Sequence, residues 1–308
     1  MISKILRKLI SSLSFFIKNV NTFNFVNNQN IKNEIFTRLK KIKKNSNLKK
    51  THIKFNKELI SLLKSGNLNS FLREDFIQKM FFLHNRLFVF YELLELKKDK
   101  KWKLYKNLII EDDIGDPVRY FLYIQSSGNR INHAYHLKIL SDHIKINLSK
   151  IREVFEFGGG YGCMARIFTK INKNVNYTIF DTQIVNFIQF YYLKSLNLKV
   201  GFNQNKIKLV HKQNYNKRKI KNSLFIANWS ISETPLTFRK KFIKEILRRE
   251  FFLISFQEKF ENVDNLKYFL QLQSILINKF SCKIIENKYY KGNYFKKQKH
   301  YFFIGRKL

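Results

Sequence analysis

The chain is organised around the stretch Ile151-Arg-Glu-Val-Phe-Glu-Phe-Gly158-Gly-Gly-Tyr-Gly162, which continues to Tyr177-Thr-Ile-Phe-Asp181. Residues 154–157 are β-branched, aromatic and acidic in a short mainly apolar run, which is typical of a buried parallel strand. A cluster of glycines, a predicted helix from residue 164 and a second apolar run ending on Asp181 follow it. A strand, a glycine turn, a helix and a strand closed by a carboxylate predict a nucleotide-binding βαβ unit.

The spacing of the glycines indicates which class of nucleotide ligand the turn binds. The dinucleotide fingerprint G-x-G-x-x-G would need a third glycine at Cys163. The run instead reads Glu156-x-Gly158-x-Gly160-x-Gly162, which resembles the first motif of class I S-adenosylmethionine methyltransferases. This cofactor carries no phosphate, so the turn must only let the backbone approach its methionine and ribose portions, and residues without Cβ allow that approach.

Two acidic residues fit the same interpretation. Glu156 would place a negative charge near a cationic ligand. Asp181 follows Gly158 at close to the roughly 20 residues expected for a carboxylate that accepts both ribose hydroxyls. The predicted cofactor is therefore S-adenosylmethionine, and the predicted contacts are Glu156, Gly158, Gly159, Gly160, Gly162, Asp181, Thr182, Asn214, Asn228 and Trp229.

Composition bounds the class of protein. The chain has 308 residues, 44% of them hydrophobic, and a formal net charge of +37. The hydrophobic content predicts a folded chain. The charge invites a nucleic-acid interpretation, but lysines are spread along the whole sequence, so we expect nucleic acid not to be the partner. Two cysteines exclude a disulfide framework and no zinc spacing exists, which favours a reducing, cytoplasmic compartment without a metal.

The first 105 residues predict a helical region that precedes the catalytic domain at 106–308. Residues 2–20 have apolar side chains at i, i+3 and i+4 and basic residues off that stripe, which predicts an amphipathic helix. It is too short and too charged to span a bilayer. Two alternatives remain for it: a helix packed on the protein, or an interfacial helix that holds the enzyme on an anionic membrane.

A second informative stretch runs from Ser126 to His136. Ser126-Ser-Gly-Asn129 predicts a loop that leads into a helix, with Asn129 as the N-cap. Three histidines follow on that helix, and at about 100° per residue His133, His136 and His143 share one face. The first two are candidates to line the mouth of an active site, and His143 is more typical of a solvated residue.

Later strands end in polar residues, where ligands of open α/β sheets bind. A strand at 207–211 precedes Asn214, which is placed to meet the adenine edge. A strand at 224–228 ends at Asn228 and is followed by Trp-Ser-Ile-Ser232-Glu233. These residues are placed to face the transferring methyl group. The predicted fold is α/β and Rossmann-like, a mostly parallel seven-stranded sheet that a C-terminal antiparallel hairpin closes.

Together with the glycine motif, residues 127–131, 135–137, 191–196 and 229–233 are similar to bacterial sugar O-methyltransferases, a family associated with surface-polysaccharide synthesis. The resemblance covers residues 110–308. It implies a sugar or glycan acceptor, lipid-linked in some pathways, with Asn129, Arg130 and Ser232 as substrate contacts. The family commonly has Leu-Pro-Glu after the second strand, where this chain has Thr182-Gln-Ile184, so the shape of that turn is open.

Methyl transfer to a hydroxyl needs a group that removes its proton. His133, His136 and Glu233 are the candidates, and a histidine is favoured because its pKa lies nearest neutrality. The alternative class is a nucleic-acid methyltransferase or basic RNA-binding protein. Base amino-group methylation commonly uses an Asn/Asp-Pro-Pro-aromatic run, and Asn228-Trp-Ser-Ile231 lacks both prolines.

Overall fold

The structure is a computed structural model that describes residues 28–41, 50–81, 86–202, 205–212, 220–290 and 298–308. Its first half is helical, as the sequence predicts. The helices there are α1 (Gln29–Leu39), α2 (Lys50–Ser65), α3 (Asp75–Met80), α4 (Leu87–Lys98) and α5 (Trp102–Ile109). Gly66, with φ +68°, follows the end of α2. The amphipathic segment 2–20 lies outside the described residues.

A short antiparallel hairpin connects this half to the rest. It consists of β1 (Arg119–Tyr120) and β2 (Tyr123–Ser127), and β2 runs directly into α6 (Gly128–Ile144). The N-cap of α6 is Ser127, whose hydroxyl accepts a hydrogen bond from the Arg130 backbone N–H. The prediction that Asn129 caps this helix was therefore wrong, because the N-cap lies two residues earlier and the helix begins at Gly128.

The remaining strands and helices alternate along the chain. The strands are β3 (Glu153–Phe157), β4 (Asn176–Phe180), β5 (Val200–Gly201), β6 (Ile207–Val210), β7 (Ser223–Asn228), β8 (Phe251–Gln257), β9 (Lys259–Phe260), β10 (Val263–Asp264), β11 (Phe280–Glu286) and β12 (His300–Lys307). The helices are α7 (Cys163–Ile171), α8 (Gln183–Ser195), α9 (Leu236–Arg248) and α10 (Asn265–Leu276).

The main sheet has the strand order β11-β12-β8-β7-β3-β4-β6-β5 among the described residues. All pairs from β8 to β5 are parallel, and β12 is antiparallel to both β8 and β11. The chain starts in the centre with β3, moves outward to β4 and β6, and then crosses to β7 on the other side. The seven predicted strands are present with the two-residue β5 added at one edge, so the Rossmann-like α/β fold is confirmed.

Alternation along β3 divides the core between the two faces of the sheet. Val154 packs with the N-terminal helices and with α6, α7 and α8 in one cluster of buried residues. Phe155 and Phe157 belong to a second cluster with α9 and α10 on the opposite face. This arrangement leaves the carboxyl ends of the parallel strands as the edge where loops from both faces meet.

The N-terminal helices share the first cluster with the sheet. Phe71 stacks edge-on against Tyr161, Tyr191 and Tyr192 of the βαβ region. The division at residue 105 stays a prediction, and the packing shows that the two parts have one continuous hydrophobic core. Within the described residues, no helix combines the length and apolar character needed to cross a bilayer.

Candidate active site

The glycine turn lies between the ends of β4 and β7. The Gly158 N–H donates to the Phe180 carbonyl at 2.8 Å. Gly158 has φ +70°, and a Cβ built on it would overlap the side chain of Ser230. Only glycine therefore satisfies both the backbone conformation and the closeness of the β7 loop. The turn sits at the point where the strand order reverses, which is where open α/β sheets bind ligands.

Gly160 differs from Gly158 in what surrounds it. Its φ of +55° also lies in the left-handed region, but the nearest atoms to a built Cβ belong to Phe81, 3.7 Å away. Phe81 in turn packs edge-on against Phe55 of α2. The outer side of the turn thus faces the N-terminal helices. The sequence predicted only that these helices precede the catalytic domain. Gly162 is the N-cap residue of α7, and Gly159 packs against Ile179 and Glu156.

Asp181 stands beside this turn at the end of β4. Its Oδ1 accepts from the Thr182 backbone N–H at 2.8 Å, and Oδ2 accepts from Gln189 Nε2 at 3.0 Å. Burial raises the pKa of Asp181 to about 7, against the lowering effect of hydrogen bonds from Thr182, Gln189 and the Gly159 backbone. Each carboxylate oxygen keeps a lone pair for a further donor such as a hydroxyl. Thr182 also caps α8, since its hydroxyl accepts from the Val185 N–H.

Gln189 is a site residue that sequence analysis missed. Its Nε2 donates to Asp181 Oδ2 at 3.0 Å and to the Gly160 carbonyl at 2.9 Å, so one amide ties the glycine turn to the Asp181 carboxylate. Its Oε1 is buried and has no hydrogen-bond partner in the part of the chain that the structure describes. Gln189 lies in α8, two turns after Asp181, and only the helical period relative to Asp181 could have indicated that it points back to the turn.

Glu156 lies beneath the turn and is buried. Its Oε2 accepts from the Tyr177 hydroxyl at 2.8 Å and would be 2.9 Å from a Cβ on Gly159. Burial raises the pKa of Glu156 to about 8. The structure places this carboxyl as a support for the turn, and direct contact with a cofactor stays a prediction.

His136 and Asn228 meet across the sheet edge. His136 Nδ1 lies 3.1 Å from Asn228 Oδ1, which also accepts from the Ser255 hydroxyl at 3.3 Å. An amide oxygen can only accept, so Nδ1 is the protonated ring nitrogen and Nε2 carries the lone pair. Nε2 has no protein hydrogen-bond partner among the described residues. Burial lowers the pKa of His136 to about 4, which keeps the ring neutral at physiological pH.

Aromatic side chains surround this histidine. Phe302 and Trp229 present their rings edge-on to it, with centroids 4.8 and 6.0 Å away. Trp229 has φ +53°, an unusual conformation for a large residue and one associated with functional sites. Its ring also packs edge-on against Tyr290 and His300, with centroids 5.9 and 5.5 Å away. Sequence analysis missed His300, whose pKa burial lowers to about 3.

His133 is one turn from His136, with ring centroids 6.3 Å apart. It is half-buried, and burial together with His136 and Arg130 lowers the pKa of His133 to about 3. Its Nδ1 has no protein partner among the described residues. The structure thus brings two of the predicted helix histidines together, while His143 lies exposed at the end of α6.

Arg130 lies in an internal ion-pair network. Its guanidinium is fully buried, contacts Glu111 at 3.0 Å and also pairs with Asp112. It donates to the Tyr192 hydroxyl at 2.6 Å. Arg166 of α7 holds the same Asp112 with two hydrogen bonds of 2.8 and 2.9 Å. The network joins the hairpin, α6, α7 and α8, and a substrate contact through Arg130 or its buried neighbour Asn129 stays a prediction.

Ser232 and Glu233 follow β7 in a 3₁₀ turn. The Ser232 hydroxyl is buried and donates to the Trp229 carbonyl at 3.1 Å and to Gln257 Oε1 at 2.9 Å. Gln257 Nε2 donates to Glu233 Oε1 at 3.2 Å, and Glu233 itself is exposed. These hydrogen bonds fix the loop after Trp229, so the hydroxyl of Ser232 already has its partners within the protein.

Asn214 lies outside the described residues. Among the residues that the structure does describe, no group of three or more His, Cys, Asp or Glu side chains is arranged to hold a metal ion. Polar atoms near the glycine turn and at the end of β7 fit the ribose and the amino-acid end of S-adenosylmethionine and not a metal ion. Gln189 Oε1 can accept from a hydroxyl, and Asn228 Nδ2, which is buried and has no partner among the described residues, can donate to a carboxylate.

Comparison with known proteins adds limited information. No family model matches the chain. An 81-residue part is 36% identical to the ribonuclease P protein component of Mesomycoplasma hyopneumoniae strains 7448 and J, which covers 69% of that protein and 26% of this chain. The match leaves most of this chain unaligned, and a composition with 59 Lys and Arg and 32 Phe residues raises the identity that unrelated segments reach. It assigns no family to the sheet described above.

Solved structures similar to this chain include several methyltransferases. The methyltransferase domain of bacterial CtHen1 aligns with a TM-score of 0.42 and 12% identity over 57% of this chain and 97% of that one. An Aquifex aeolicus SAM-dependent methyltransferase gives 0.38 and 13% over 56% and 89%. The N-terminal domain of human METTL16, in complex with SAH, gives 0.38 and 13% over 57% and 70%. We therefore assign the fold from the strand order described above and not from these structures.

Proposed function

We propose that this chain is an S-adenosylmethionine-dependent O-methyltransferase whose acceptor is a sugar hydroxyl in a cytoplasmic glycan pathway. The observation that supports it is the meeting, at one edge of the sheet, of a glycine turn, a ribose-type carboxylate and a histidine in the base tautomer. The choice of a sugar as acceptor is supported only by the resemblance of residues 110–308 to bacterial sugar O-methyltransferases.

Four residues would hold the cofactor. Asp181 accepts the ribose hydroxyls beside Gln189, the backbone at Gly160 comes close to the nucleoside, and Asn228 Nδ2 meets the methionine end. Bound there, the sulfonium supplies an electrophilic methyl group. The protein's part in catalysis is then to align the acceptor oxygen and to receive its proton, and such positioning supplies much of the rate of a displacement reaction.

His136 is the group that takes the proton. Transfer would form the bond between the acceptor oxygen and the methyl carbon and break the bond between that carbon and the sulfonium sulfur, which would leave as the neutral thioether of S-adenosylhomocysteine. The acceptor proton would move to His136 Nε2, and the ring would become an imidazolium. The Nδ1–H bond to Asn228 Oδ1 fixes the required tautomer and stabilises the charge that forms. The low pKa means that the base form is present from pH 5 upward, about two units below the range in which an exposed histidine would lose its proton.

A second candidate is an RNA acceptor. It is favoured by the net charge of +37. A nucleic-acid enzyme would depend strongly on salt, because displaced counterions drive phosphate binding. Incubation with labelled S-adenosylmethionine and either fractionated glycans or total RNA separates the two acceptors, since label in RNA alone would contradict the sugar proposal.

Cofactor binding provides the direct test. Calorimetry with S-adenosylmethionine should give a saturable site in the unaltered chain. Asp181→Ala should weaken it by about 10² or more, because two hydroxyl hydrogen bonds to a charged group are lost. Asp181→Asn keeps the shape and one acceptor, so its loss should be intermediate. Equal affinity of all three proteins would mean that the cofactor lies elsewhere and would end the proposal.

A further inference from the structure

The hairpin β1–β2 exposes apolar side chains that the proposed reaction does not use. Phe121 is 37% exposed, Leu122 42% and Ile124 58%, and all three lie at or next to the hairpin tip. Between this hairpin and the α4–α5 region runs a shallow groove of about 570 Å³. Lys97 and Lys106 line it together with Trp102 and the three exposed residues. We call Phe121, Leu122, Ile124, Lys97 and Lys106 the hairpin patch.

The charge around the patch is positive and not neutralised. Lys97 stands over the ring of Tyr123 at 5.3 Å, and Lys103 lies three residues from Lys106 on the same face of α5. In the ranges that the structure describes, neither Lys97, Lys103 nor Lys106 forms an ion pair with a carboxylate. The nearby acids have other partners: Asp99 pairs with Lys138, Asp112 with Arg130 and Arg166, Asp113 with Arg119, and Asp116 with Arg73.

We propose that the hairpin patch docks the protein on an anionic lipid surface. Aliphatic and aromatic tips framed by lysines are the pattern of an interfacial contact, in which apolar groups enter the acyl boundary while ammonium groups meet the headgroup phosphates. Leu122 and Ile124 can neither stack on bases nor hydrogen-bond to them, so the same patch gains little from a nucleic acid. The occupant is therefore a membrane and not RNA.

The location of the patch connects it to the rest of the molecule. β2 continues without a break into α6, which carries His133 and His136. Arg130 in the first turn of α6 pairs with the buried Glu111, and Ser127 at the end of β2 donates to the same carboxylate, so one buried network holds the end of the hairpin and the start of the helix. Docking of the hairpin would orient this face toward the bilayer. The inference stands on the patch alone and does not require the proposed methyl transfer.

The test uses the full chain and sedimentation with vesicles of phosphatidylcholine, with or without phosphatidylglycerol. The unaltered chain should sediment with the anionic vesicles. The triple variant Phe121→Ser, Leu122→Ser, Ile124→Ser should lower the partition coefficient by at least about tenfold, because three apolar side chains lose their burial. The matched control is Leu270→Ser, Ile275→Ser, Ile277→Ser, which removes three side chains exposed by 49, 65 and 56% on another element and should bind unchanged.

A charge variant keeps the test decisive if the triple variant does not fold. Lys97→Gln with Lys106→Gln should lower binding about tenfold at low salt, and the difference should vanish at high salt. Binding of the hairpin variant equal to that of the control would overturn the proposal and leave residues 2–20 as the membrane contact. A hairpin variant that loses retention on RNA, with vesicle binding unchanged, would assign the patch to nucleic acid instead.

Discussion

Two regions stand out in the sequence. One is the edge of the sheet with the glycine turn and Asp181, which we call the cofactor edge, and the other is the start of α6. The side chains of the two regions have different surroundings in the structure. At the cofactor edge, Gly158, Gly160 and Asp181 lie together as their spacing indicates. On α6, residues of one short segment separate into two environments. Arg130 is enclosed in an ion-pair network, whereas His136, one and a half turns further, reaches the end of β7.

The difference follows from what each motif encodes. A glycine in the left-handed region specifies its own backbone conformation, so a glycine pattern describes a local shape directly. A side chain on a helix has a direction, but its role depends on what packs opposite. Glu111 and Asp112, from the segment between α5 and β1, face Arg130. Asn228, 92 residues further along the chain, faces His136. The predictions below test whether these two regions have the separate roles assigned to them.

The largest effect is expected at His136. Replacement by Ala should lower turnover by about 10² to 10⁴, because the acceptor proton loses its base, while the affinity for S-adenosylmethionine stays unchanged. His143→Ala, on the exposed end of the same helix, is the matched control and should be neutral. The acid limb of the turnover profile should lie near pH 4 and not near 6.5. A parallel loss of cofactor affinity would indicate a structural histidine.

Arg130 should affect stability and not acceptor affinity. Arg130→Met leaves the buried Glu111 carboxylate without its partner, and breaking a buried ion pair costs about 3–5 kcal/mol of unfolding free energy. Urea denaturation measures the change. Arg38→Met breaks an exposed pair with Glu34 and should cost less than about 1 kcal/mol. An Arg130 variant of normal stability with a raised KM for the acceptor would return this residue to the substrate site.

The two glycines of the turn should respond unequally. Gly158→Ala meets the Ser230 side chain as well as the strain of positive φ, so we expect a loss of about 3 kcal/mol or more. Gly160→Ala would place its Cβ in ordinary van der Waals contact with Phe81, 3.7 Å away, and should cost only the backbone strain of about 1–2 kcal/mol. Urea midpoints of both variants provide the comparison. Similar losses would mean that Ser230 moves aside and that the turn is less closed than described.

The smallest effect is a pH dependence that separates the two regions. Burial raises the pKa of Glu156 from 4.5 to about 8, so the folded state holds a proton that the unfolded state releases, and stability falls as pH rises between these values. Burial lowers the pKa values of His133 and His136, so their effect has the opposite sign and ends at pH 6.5.

Between pH 6.5 and 8, the buried carboxyls at the cofactor edge therefore change the unfolding free energy with pH, and the histidines of α6 do not. Glu156→Gln should reduce the fall in unfolding free energy across this window by about 2 kcal/mol, since one proton contributes about 1.4 kcal/mol per pH unit. His136→Asn should leave the window unchanged and act only below pH 6.5. Equal slopes for the unaltered chain and Glu156→Gln would place the Glu156 carboxyl in contact with water.

Much of the fold was predictable because it is written in short-range patterns. The strands at 154–157 and 224–228 are continuous apolar runs, and the break after Ser65 contains a glycine at positive φ. The N-cap of α6 was misplaced because Ser126, Ser127 and Asn129 are all good capping residues, and the choice among them depends on which backbone enters the helix first. Ser127 is selected because its hydroxyl also bonds to the buried Glu111.

The partners of the site could not be predicted in the same way. Gln189 and His300 carry no local signal, since a glutamine in an apolar helix and a histidine at a strand start are common features. Their roles follow from contacts with the glycine turn and with Trp229, which the folded sheet alone supplies. The exposed hairpin patch was likewise hidden, because Phe121, Leu122 and Ile124 have the composition of buried residues.

The sequence by itself determined the βαβ unit, seven of the eight strands of the main sheet and the carboxylate beside the turn, because backbone conformation and burial follow from neighbouring residues. Only the tertiary structure decided which side chains act. It enclosed Arg130 among carboxylates, gave His136 an amide that fixes its tautomer, and left the hairpin tip in water. Contacts such as those of Arg130 with Tyr192 and of His136 with Asn228 join residues 62 and 92 positions apart, and only the packing of sheet and helices brings these residues together.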